Sequence, residues 1–161
     1  MREEWRAEQD AETRDAAEQW RHSRTLLDLA REHMHRGDRV AITVVGHRTV
    51  GTIIEVATDR IAVLDAEIRT DVHVCEALPL AFTVVERARA GGRTGARTAS
   101  FRARLLELET GGMPVVVATA IGPDPFTGSL SVGTDLVAVT TGAGDETVIA
   151  LSAVAFVSPA S

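Results

Sequence analysis

Three residue types that often do chemistry alternate along the segment TDVHVCE: Asp71, His73 and Cys75. Residues two apart in a β-strand share a face, so an acid, a base and a thiol would lie side by side. Such a group could bind zinc or act as an acid–base–thiol unit. The alternative is the polar outer face of a strand whose valines, Val72 and Val74, point inward. We favour this alternative, because no CxxC or HxxxH pair supplies further ligands. We therefore expect no metal, no cofactor and no catalytic residue.

A second candidate is a run of arginines without any acidic residue, spanning residues 87–104. It consists of Arg87, Arg89, Arg93, Arg97, Arg102 and Arg104. A flexible basic segment could contact the phosphates of a nucleic acid. Single-strand binders usually add aromatic stacking platforms, however, and only Phe101 is near. Residues 112–161 hold four acids and no base, which would repel phosphate. We favour a solvated linker whose arginines pair with acids, and keep nucleic-acid contact as the alternative.

The composition excludes several classes of enzyme. The 161 residues include 17 basic ones, all arginine, and 23 acidic ones, for a net charge of -6. Without lysine there is no Walker-type phosphate loop, no Schiff-base chemistry and no protein-kinase site. The GAGDET stretch at 142–147 precedes a β-like run rather than a helix, so we interpret it as a hairpin turn. The chain also lacks GxSxG and HExxH motifs, and we expect that it is not an enzyme.

The elements that must position these residues begin with a helix, which we predict over residues 2–35. Its apolar stripe is Ala16, Trp20, Leu27, Ala30 and Met34. The first fifteen residues are mostly Glu, Asp and Arg, which predicts an exposed arm at the start of the helix. Gly37 follows a cluster of basic residues and is predicted to end the helix. Residues 1–35 are thus interpreted as an N-terminal helix or arm.

From residue 36 onward apolar residues alternate with polar ones, which indicates β-strands. Five short runs lie within 36–86: RVAITVV, TVGTIIEVA, RIAVLDA, TDVHVCE and LAFTVVE. They predict a first small five-stranded β-barrel, with Gly51 at a sharp bend of its second strand. An Arg/Gly-rich linker follows at 87–100. Residues 101–161 predict a helix plus a second small five-stranded barrel. The predicted fold class is therefore mainly β with an N-terminal α-helix.

The second barrel repeats residues of the first at a nearly constant offset along the chain. The matched pairs are Leu26, Leu27 and Leu29 with Leu105, Leu106 and Leu108, Gly37 with Gly112, Val40 with Val115, Gly51 with Gly128, Asp59 with Asp135, and Val63 with Val139. We interpret the pattern as an internal repeat in which a helix and a barrel are duplicated. The alternative is that any two small β-meanders look alike.

The stretch VAITVVGHRTVGTIIEVATDRIAVLDAE has Gly51 in its second strand and Asp59 at the turn into its third, and it resembles the first motif of the Sm-like/SH3-like small β-barrels. The resemblance covers residues 24–158 and implies the same fold in both halves. Sm proteins typically close into rings and bind single-stranded RNA with an Asn after the third-strand turn and a nearby aromatic. This chain has no Asn, and Arg60–Leu64 offers neither amide nor aromatic, so the fold would carry over without the RNA pocket.

The layout also resembles that of small uncharacterised actinobacterial proteins loosely labelled Fis-family regulators. The C-terminal region has no Fis-like helix-turn-helix pattern, so this resemblance concerns the layout alone.

Function and location follow as expectations. No apolar run approaches the roughly 20 residues of a membrane span, the N-terminus is too charged for a signal peptide, and Cys75 has no second cysteine to pair with. We expect a cytoplasmic, non-enzymatic interaction or regulatory protein, acting as a protein-binding module on an unknown partner or by self-association. The alternative is a nucleic-acid-associated regulator that contacts phosphates through the arginines of 87–104.

Overall fold

A computed structural model describes residues 2–89, 91–92 and 99–160 of the chain. The helices are α1 Arg2–Ser23, α2 Leu26–Arg36 and α3 Phe101–Gly111. The strands are β1 Arg39–Val44, β2 His47–Val56, β3 Arg60–Asp65, β4 Ile68–His73, β5 Leu80–Glu86, β6 Val115–Thr119, β7 Phe126–Val132, β8 Leu136–Thr140, β9 Glu146–Ala150 and β10 Val154–Pro159. Within these ranges, no helix is long and apolar enough to cross a membrane.

The N-terminal region forms two helices, so the prediction of one helix over residues 2–35 is wrong. The break lies at Thr25, which begins α2 with a capping box. Its hydroxyl accepts a hydrogen bond from the Asp28 backbone N–H, and the Asp28 carboxylate accepts one from the Thr25 N–H. No described side chain of α1 is buried, and Trp20 stays exposed beneath the Arg24 guanidinium. The apolar stripe therefore reaches the core only through α2.

All ten strands form one antiparallel sheet in the order β5-β1-β2-β3-β4-β10-β6-β7-β8-β9. The fold is mainly β, but the sheet is not closed, and two separate five-stranded barrels are not confirmed. The strands form one sheet because β4 pairs with a strand of the C-terminal part of the chain. Strand β4 pairs with β3 on one side and with β10 on the other, where Val72 lies opposite Phe156 and Asp71 opposite Val157. Strand β4 therefore joins two parts of the chain, and β5 and β9 become the edges.

The strands on the two sides of this junction follow the same order. We call residues 26–86 the first half and residues 101–159 the second half. In each half one helix precedes five strands, and the fifth strand pairs with the first. Each half also pairs its first strand with its second, its second with its third and its third with its fourth.

A glycine occupies the same place in both halves. Gly51 lies in β2 and Gly128 in β7, each opposite the first strand of its half. A Cβ at either position would overlap the backbone carbonyl of the following strand, at Leu64 in one half and at Thr140 in the other. Only glycine permits backbones to approach so closely. The two glycines therefore have the same physical role.

The helices of the two halves share their end signals. Helix α2 follows Thr25 and α3 follows Ser100, and each hydroxyl accepts a hydrogen bond from the backbone N–H three residues later. Gly37 ends α2 and Gly112 ends α3, both in the left-handed conformation that favours glycine. The prediction that Gly37 closes the first of these helices is confirmed.

The equal lengths of α2 and α3, 11 residues each, correct one match made from the sequence. Aligning the caps pairs Leu26 with Phe101 and Ala30 with Leu105, so the match of Leu26 with Leu105 is wrong. The buried positions agree with the corrected alignment, since Ala30 and Leu105 are both fully buried. The leucines of the two helices have the same spacing, which by itself favours an alignment shifted by four residues.

Two clusters of buried apolar side chains hold the helices on the sheet. The first contains Ala30, Met34, Val40, Ile42, Val44, Ile53, Val56, Ile61, Val63, Val72, Leu78, Ala155 and Phe156. The second contains Phe101, Leu105, Val115, Val117, Leu130, Val137, Val139, Ile149, Val154 and Val157. Phe156 packs in the first cluster although its strand belongs to the second half. The halves thus share a core at the β4–β10 junction.

Candidate functional site

The end of strand β4, residues 71–73, is buried on both faces, which corrects the expected polar outer face of this strand. Asp71 is 0% exposed, Val72 is 0% exposed and His73 is 7% exposed. Val72 packs in the first core as predicted, but Asp71 and His73 face the second half rather than solvent. Cys75 lies beyond the end of β4, is partly buried, and packs against the first core. The three residues therefore do not form one acid–base–thiol group.

The carboxylate of Asp71 is the centre of an ionic cluster. Its Oδ1 accepts a hydrogen bond from Arg60 at 3.0 Å, and its Oδ2 accepts one from Arg104 of α3 at 2.9 Å. Arg69 also donates to Asp71, at 3.1 Å. Glu55 shares two of these arginines, at 2.9 Å from Arg60 and 3.0 Å from Arg69. A fully buried carboxylate is thus compensated by three cations, as burial of a charge requires.

The neighbouring glutamate shows the electrostatic effect of this cluster. Burial by itself would raise the pKa of Glu55. The hydrogen bond from Arg60 and the positive charge of Arg69 act in the opposite direction, and the pKa of Glu55 is lowered. The cluster therefore favours the charged form of Glu55, in which its carboxylate accepts hydrogen bonds from the arginines.

His73 is fixed against the second half by its ring. The imidazole stacks on Phe101 with a centroid distance of 4.3 Å and an interplanar angle of 3°. Its Nδ1 donates to the carbonyl oxygen of Val154 at 3.0 Å. Burial lowers the pKa of His73 and so favours the neutral ring. The negative charge of Asp59 acts in the opposite direction but does not outweigh burial. This histidine packs as a neutral side chain at the junction.

The start of α3 is also anchored on the first half. The backbone N–H of Phe101 donates to the Asp59 carboxylate at 2.8 Å, and Arg60 Nε donates to the carbonyl of Ala99 at 3.1 Å. Together with the Asp71 cluster and the His73 stack, these bonds occupy the polar groups of the junction. The arrangement is suited to holding the two halves together. The polar side chains described at this junction are hydrogen-bonded to other groups of the chain.

The arginine run is divided between structural and exposed side chains. Arg104 binds Asp71, and Arg102 Nε donates to the carbonyl of Gly133 at 2.9 Å. Arg87 and Arg89 are exposed, and neither forms an ion pair within the described ranges. Arg93 and Arg97 lie outside the described residues.

The beginning of the predicted linker is hydrogen-bonded to the first half. The buried carboxylate of Asp38 accepts a hydrogen bond from the Ala88 N–H at 2.8 Å and lies 2.8 Å from the Nδ1 of His33. The Ala88 bond and the His33 contact lower the pKa of Asp38. Gly92 donates to the carbonyl of His35 at 2.7 Å, close to the end of α2. This part of 87–100 is therefore a docked segment, which its Arg/Gly composition did not indicate.

Sequence reasoning also missed Arg60 as a partner of Asp71, and Glu55 as a second acid that binds Arg60 and Arg69. One signal was available, because each is a charged residue within or beside a predicted strand whose neighbours are apolar. Such a residue is costly to bury without a partner of opposite charge. Because β2, β3 and β4 each carry one such residue, pairing of these strands could be expected to bring Glu55, Arg60 and Asp71 together.

The two edge strands form the candidate binding surface, which we call the open edges. Strand β5 pairs with β1 and β9 pairs with β8, and no described strand pairs with the other side of either. Apolar side chains are exposed at the β9 end: Val148 is 58% exposed and Leu136 of β8 is 36% exposed. Unpaired N–H and C=O groups beside apolar side chains can accept an added strand.

No group of three or more His, Cys, Asp or Glu side chains in the described part of the chain could hold a metal ion. Comparison with known proteins adds no relative. No protein-family model matches the chain, and no curated protein and no solved structure matches it.

Proposed function

We propose that the protein is a non-enzymatic, cytoplasmic protein-binding module that holds its partner by strand addition at the open edges. The observation that carries this proposal is the pair of unpaired strand sides at the two ends of one sheet, on β5 and β9. Exposed edges are commonly blunted by charged side chains or proline. Strand β9, ETVIA, contains no proline, its one charged residue is Glu146 at its start, and it carries the exposed Val148. Its edge is therefore suited to pairing with another chain.

The polar residues support the same proposal because their hydrogen bonds are already used inside the chain. Asp71 accepts bonds from three arginines, and His73 is held between Phe101 and the Val154 carbonyl. Catalytic groups need a free lone pair or proton directed at a substrate. We accordingly assign Asp71 and His73 to the architecture of the junction and the binding role to the sheet edges.

We further propose that each half is an Sm-like/SH3-like open barrel and that the chain is an internal duplication. Three features support this: the common strand order, the matched glycines Gly51 and Gly128, and the matched helix caps. The absence of Asn argues against the RNA pocket typical of Sm proteins. The duplication leaves one edge from each half unpaired, which is the property that the binding function uses.

The test is retrieval of partners by the tagged full-length chain from an extract of its native cells, with and without nuclease. Val148→Lys places a charge at the β9 edge and should abolish retrieval of edge-bound proteins. Ile68→Lys is a matched control, since Ile68 is 59% exposed and lies in β4, an inner strand of the sheet rather than an edge strand. Both substitutions are at exposed positions and should leave the fold intact.

The proposal predicts proteins that are lost with Val148→Lys, kept with Ile68→Lys, and unaffected by nuclease. If the wild-type chain and both variants retrieve the same proteins, the edges are not the binding surface. Partners that disappear with nuclease would instead favour an association mediated by nucleic acid.

The second candidate function is contact with nucleic acid through the arginine run, and the exposed Arg87 and Arg89 favour it. The test is a gel-shift titration with single-stranded RNA and DNA over a range of salt. Replacing both arginines with Gln should weaken binding and reduce the salt dependence, because fewer counterions are released. Arg48→Gln, at another exposed arginine, is the control. Absence of binding by the wild-type chain at low salt would exclude this function.

A further inference from the structure

We infer that the first half carries a binding site for a small amphipathic anion, formed at the chain segment that follows β5. We call this segment the strap, and it comprises residues 87–89 and 91–92. The apolar part of the ligand would enter a cavity between the strap, α2 and strands β2 and β3, and its acidic head would bind Arg87 and Arg89. The inference goes beyond the proposed function and does not depend on the open edges.

Two hydrogen bonds fix the strap against the end of α2. The Ala88 N–H donates to the buried carboxylate of Asp38 at 2.8 Å. The Gly92 N–H donates to the His35 carbonyl at 2.7 Å. The pKa of Asp38 is lowered, chiefly by the bond from Ala88, so this carboxylate remains a charged acceptor. The strap is therefore held in place before a ligand binds, which reduces the entropic cost of binding.

The two glycines of the strap differ in how closely they pack. A Cβ at Gly92 would overlap the carbonyl oxygen of Met34 and the backbone nitrogen of Gly37. A Cβ at Gly91 would meet nothing closer than the His35 carbonyl oxygen, 4.0 Å away. The strap is thus seated tightly on the end of α2 at Gly92 and leaves more space at Gly91.

A cavity of about 320 Å³ lies beside these glycines. Its lining includes the apolar residues Met34, Ile53, Ile54 and Leu64, together with Gly91. A strap that only tied down the linker would be expected to fill this space, because proteins pack to high density. Small-molecule sites occupy roughly 300–1,000 Å³ and are lined largely by apolar groups. The cavity is therefore suited to the apolar part of a small ligand.

A hollow of about 500 Å³ adjoins the cavity at Gly91. Its lining includes three arginines, Arg36, Arg87 and Arg89. Arg36 is paired with Glu32 at 2.6 Å. Arg87 and Arg89 are exposed and form no ion pair within the described ranges. Guanidinium groups bind carboxylates and phosphates through paired, charge-assisted hydrogen bonds, so the two arginines are suited to an acidic head group.

The lining of this hollow also includes an acid, Asp38, and this acid limits where the head group can lie. The Asp38 carboxylate is buried and lies 2.8 Å from the Nδ1 of His33. Its negative charge would repel an anion that entered the hollow deeply. The head group is therefore expected at the exposed guanidinium groups of Arg87 and Arg89.

The corresponding end of α3 in the second half has different residues. Alignment of the helix caps pairs His35 with Thr110, Arg36 with Gly111, Asp38 with Met113 and Arg39 with Pro114. Residues 112–161 contain no base. The cationic residues and the acid that holds the strap are thus specific to the first half. This is expected of a ligand site and not of a feature that the common fold requires.

The first experiment measures binding of octyl phosphate and of octanoate to the full-length chain by calorimetric titration, below the concentrations at which these compounds form micelles. We expect saturable binding of at least one of them, and the tighter one identifies the head group. Inorganic phosphate lacks the chain and octanol lacks the charge, so each should bind at least about tenfold more weakly. The inference is wrong if neither anion binds at millimolar concentration, or if octanol or inorganic phosphate binds equally well.

The second experiment repeats the titration with substituted arginines. Combining Arg87→Gln with Arg89→Gln should weaken binding by about tenfold or more, because charge-assisted hydrogen bonds to the head group are lost. Arg48→Gln, at an exposed arginine near the β1–β2 turn, is the matched control. These positions are exposed, so unfolding free energies should be unchanged. Equal affinity of the double variant and the control would overturn the inference.

The third experiment tests the strap itself. Gly92→Ala should displace the strap and weaken anion binding, whereas Gly142→Ala, in open space, should not. A folded Gly92→Ala variant that binds normally would contradict the role of the strap. Amide chemical shifts of the unchanged chain give the same information if Gly92→Ala does not fold. The anion should shift the amide signals of Ile54 and Gly92, and shifts confined to the second half would contradict the site.

These results distinguish the inference from the functions proposed above. If single-stranded RNA binds and neither octyl phosphate nor octanoate does, the arginines contact nucleic acid and the small-anion site is wrong. Protein binding at the open edges is judged by retrieval with Val148→Lys, and the anion site by titration of the arginine variants. Either proposal can therefore fail while the other holds.

Discussion

The carboxylate of Asp71 in β4 accepts a hydrogen bond of 2.9 Å from Arg104 in α3, which belongs to the other half of the chain. The acid is completely buried, and Arg60 and Arg69 bind the same group. Beside it, β4 pairs with β10. Strand pairing and a compensated buried charge therefore act at one place to join the halves.

Removing the acid of this cluster should destabilise the fold strongly. Asp71→Ala leaves three arginines without their shared carboxylate, and breaking a buried ion pair from one side costs about 3–5 kcal/mol of unfolding free energy. Chemical denaturation checks this value. The control is Asp65→Ala, which breaks an ion pair with Arg39 in which both side chains are largely exposed, and which should cost at most about 1 kcal/mol. Equal losses in the two variants would show that the cluster adds no special stability.

Stability should decrease on acidification because of His73. Burial lowers its pKa in the folded chain, so between the unfolded pKa of about 6.5 and the lower folded pKa only the unfolded chain binds the proton. The unfolding free energy should be unaffected by this group above pH ~6.5 and should fall below it by up to about 1.4 kcal/mol per pH unit.

The measurement for His73 is the unfolding free energy between about pH 7.5 and 5, above the range in which carboxylates titrate. His73→Gln keeps a donor for the Val154 carbonyl and should flatten the slope in this window. His22→Gln, at an exposed position of α1, should leave the slope unchanged. A wild-type slope that His73→Gln does not reduce would contradict the prediction.

The paired glycines should be equally intolerant of a methyl group. Gly51→Ala and Gly128→Ala each place a Cβ against the backbone carbonyl of the next strand, so the strands must separate. We expect losses of about 1–3 kcal/mol in each, the range for overpacking. Gly142→Ala is the control, because open space surrounds that position. The unfolding free energies of the three variants, measured by thermal or chemical denaturation, test this prediction. A Gly128→Ala variant as stable as the unchanged chain would show that the halves differ at this position.

The capping box at Thr25 should set the start of α2. Thr25→Ala removes the hydroxyl that accepts the Asp28 N–H, and loss of such a cap typically costs about 1 kcal/mol. Thr25→Ser keeps the oxygen and should be nearly neutral. Unfolding free energies of the two variants test this, and a loss with Ser as large as that with Ala would assign the effect to the methyl group instead of the cap.

Local signals in the sequence were enough for the secondary structure of most of the chain. Alternating apolar residues indicate strands because one side of each strand must be buried, and Gly37 ends a helix because it tolerates left-handed backbone. The same reasoning failed at Thr25, where the polar and charged residues continue through the break and only the capping pair with Asp28 marks it. Helix propensity and apolar spacing alone do not show such an interruption.

The sequence by itself determined that this chain is mainly β, has a helix before each set of five strands, and contains two matched glycines. The tertiary structure alone decided that β4 pairs with β10, and with it the fate of Asp71 and His73. Alternation along a strand separates its two faces, but it does not say what covers each face. Here the second half of the chain covers the polar face of β4. Contacts between residues distant in sequence made that surface an internal junction and left β5 and β9 open.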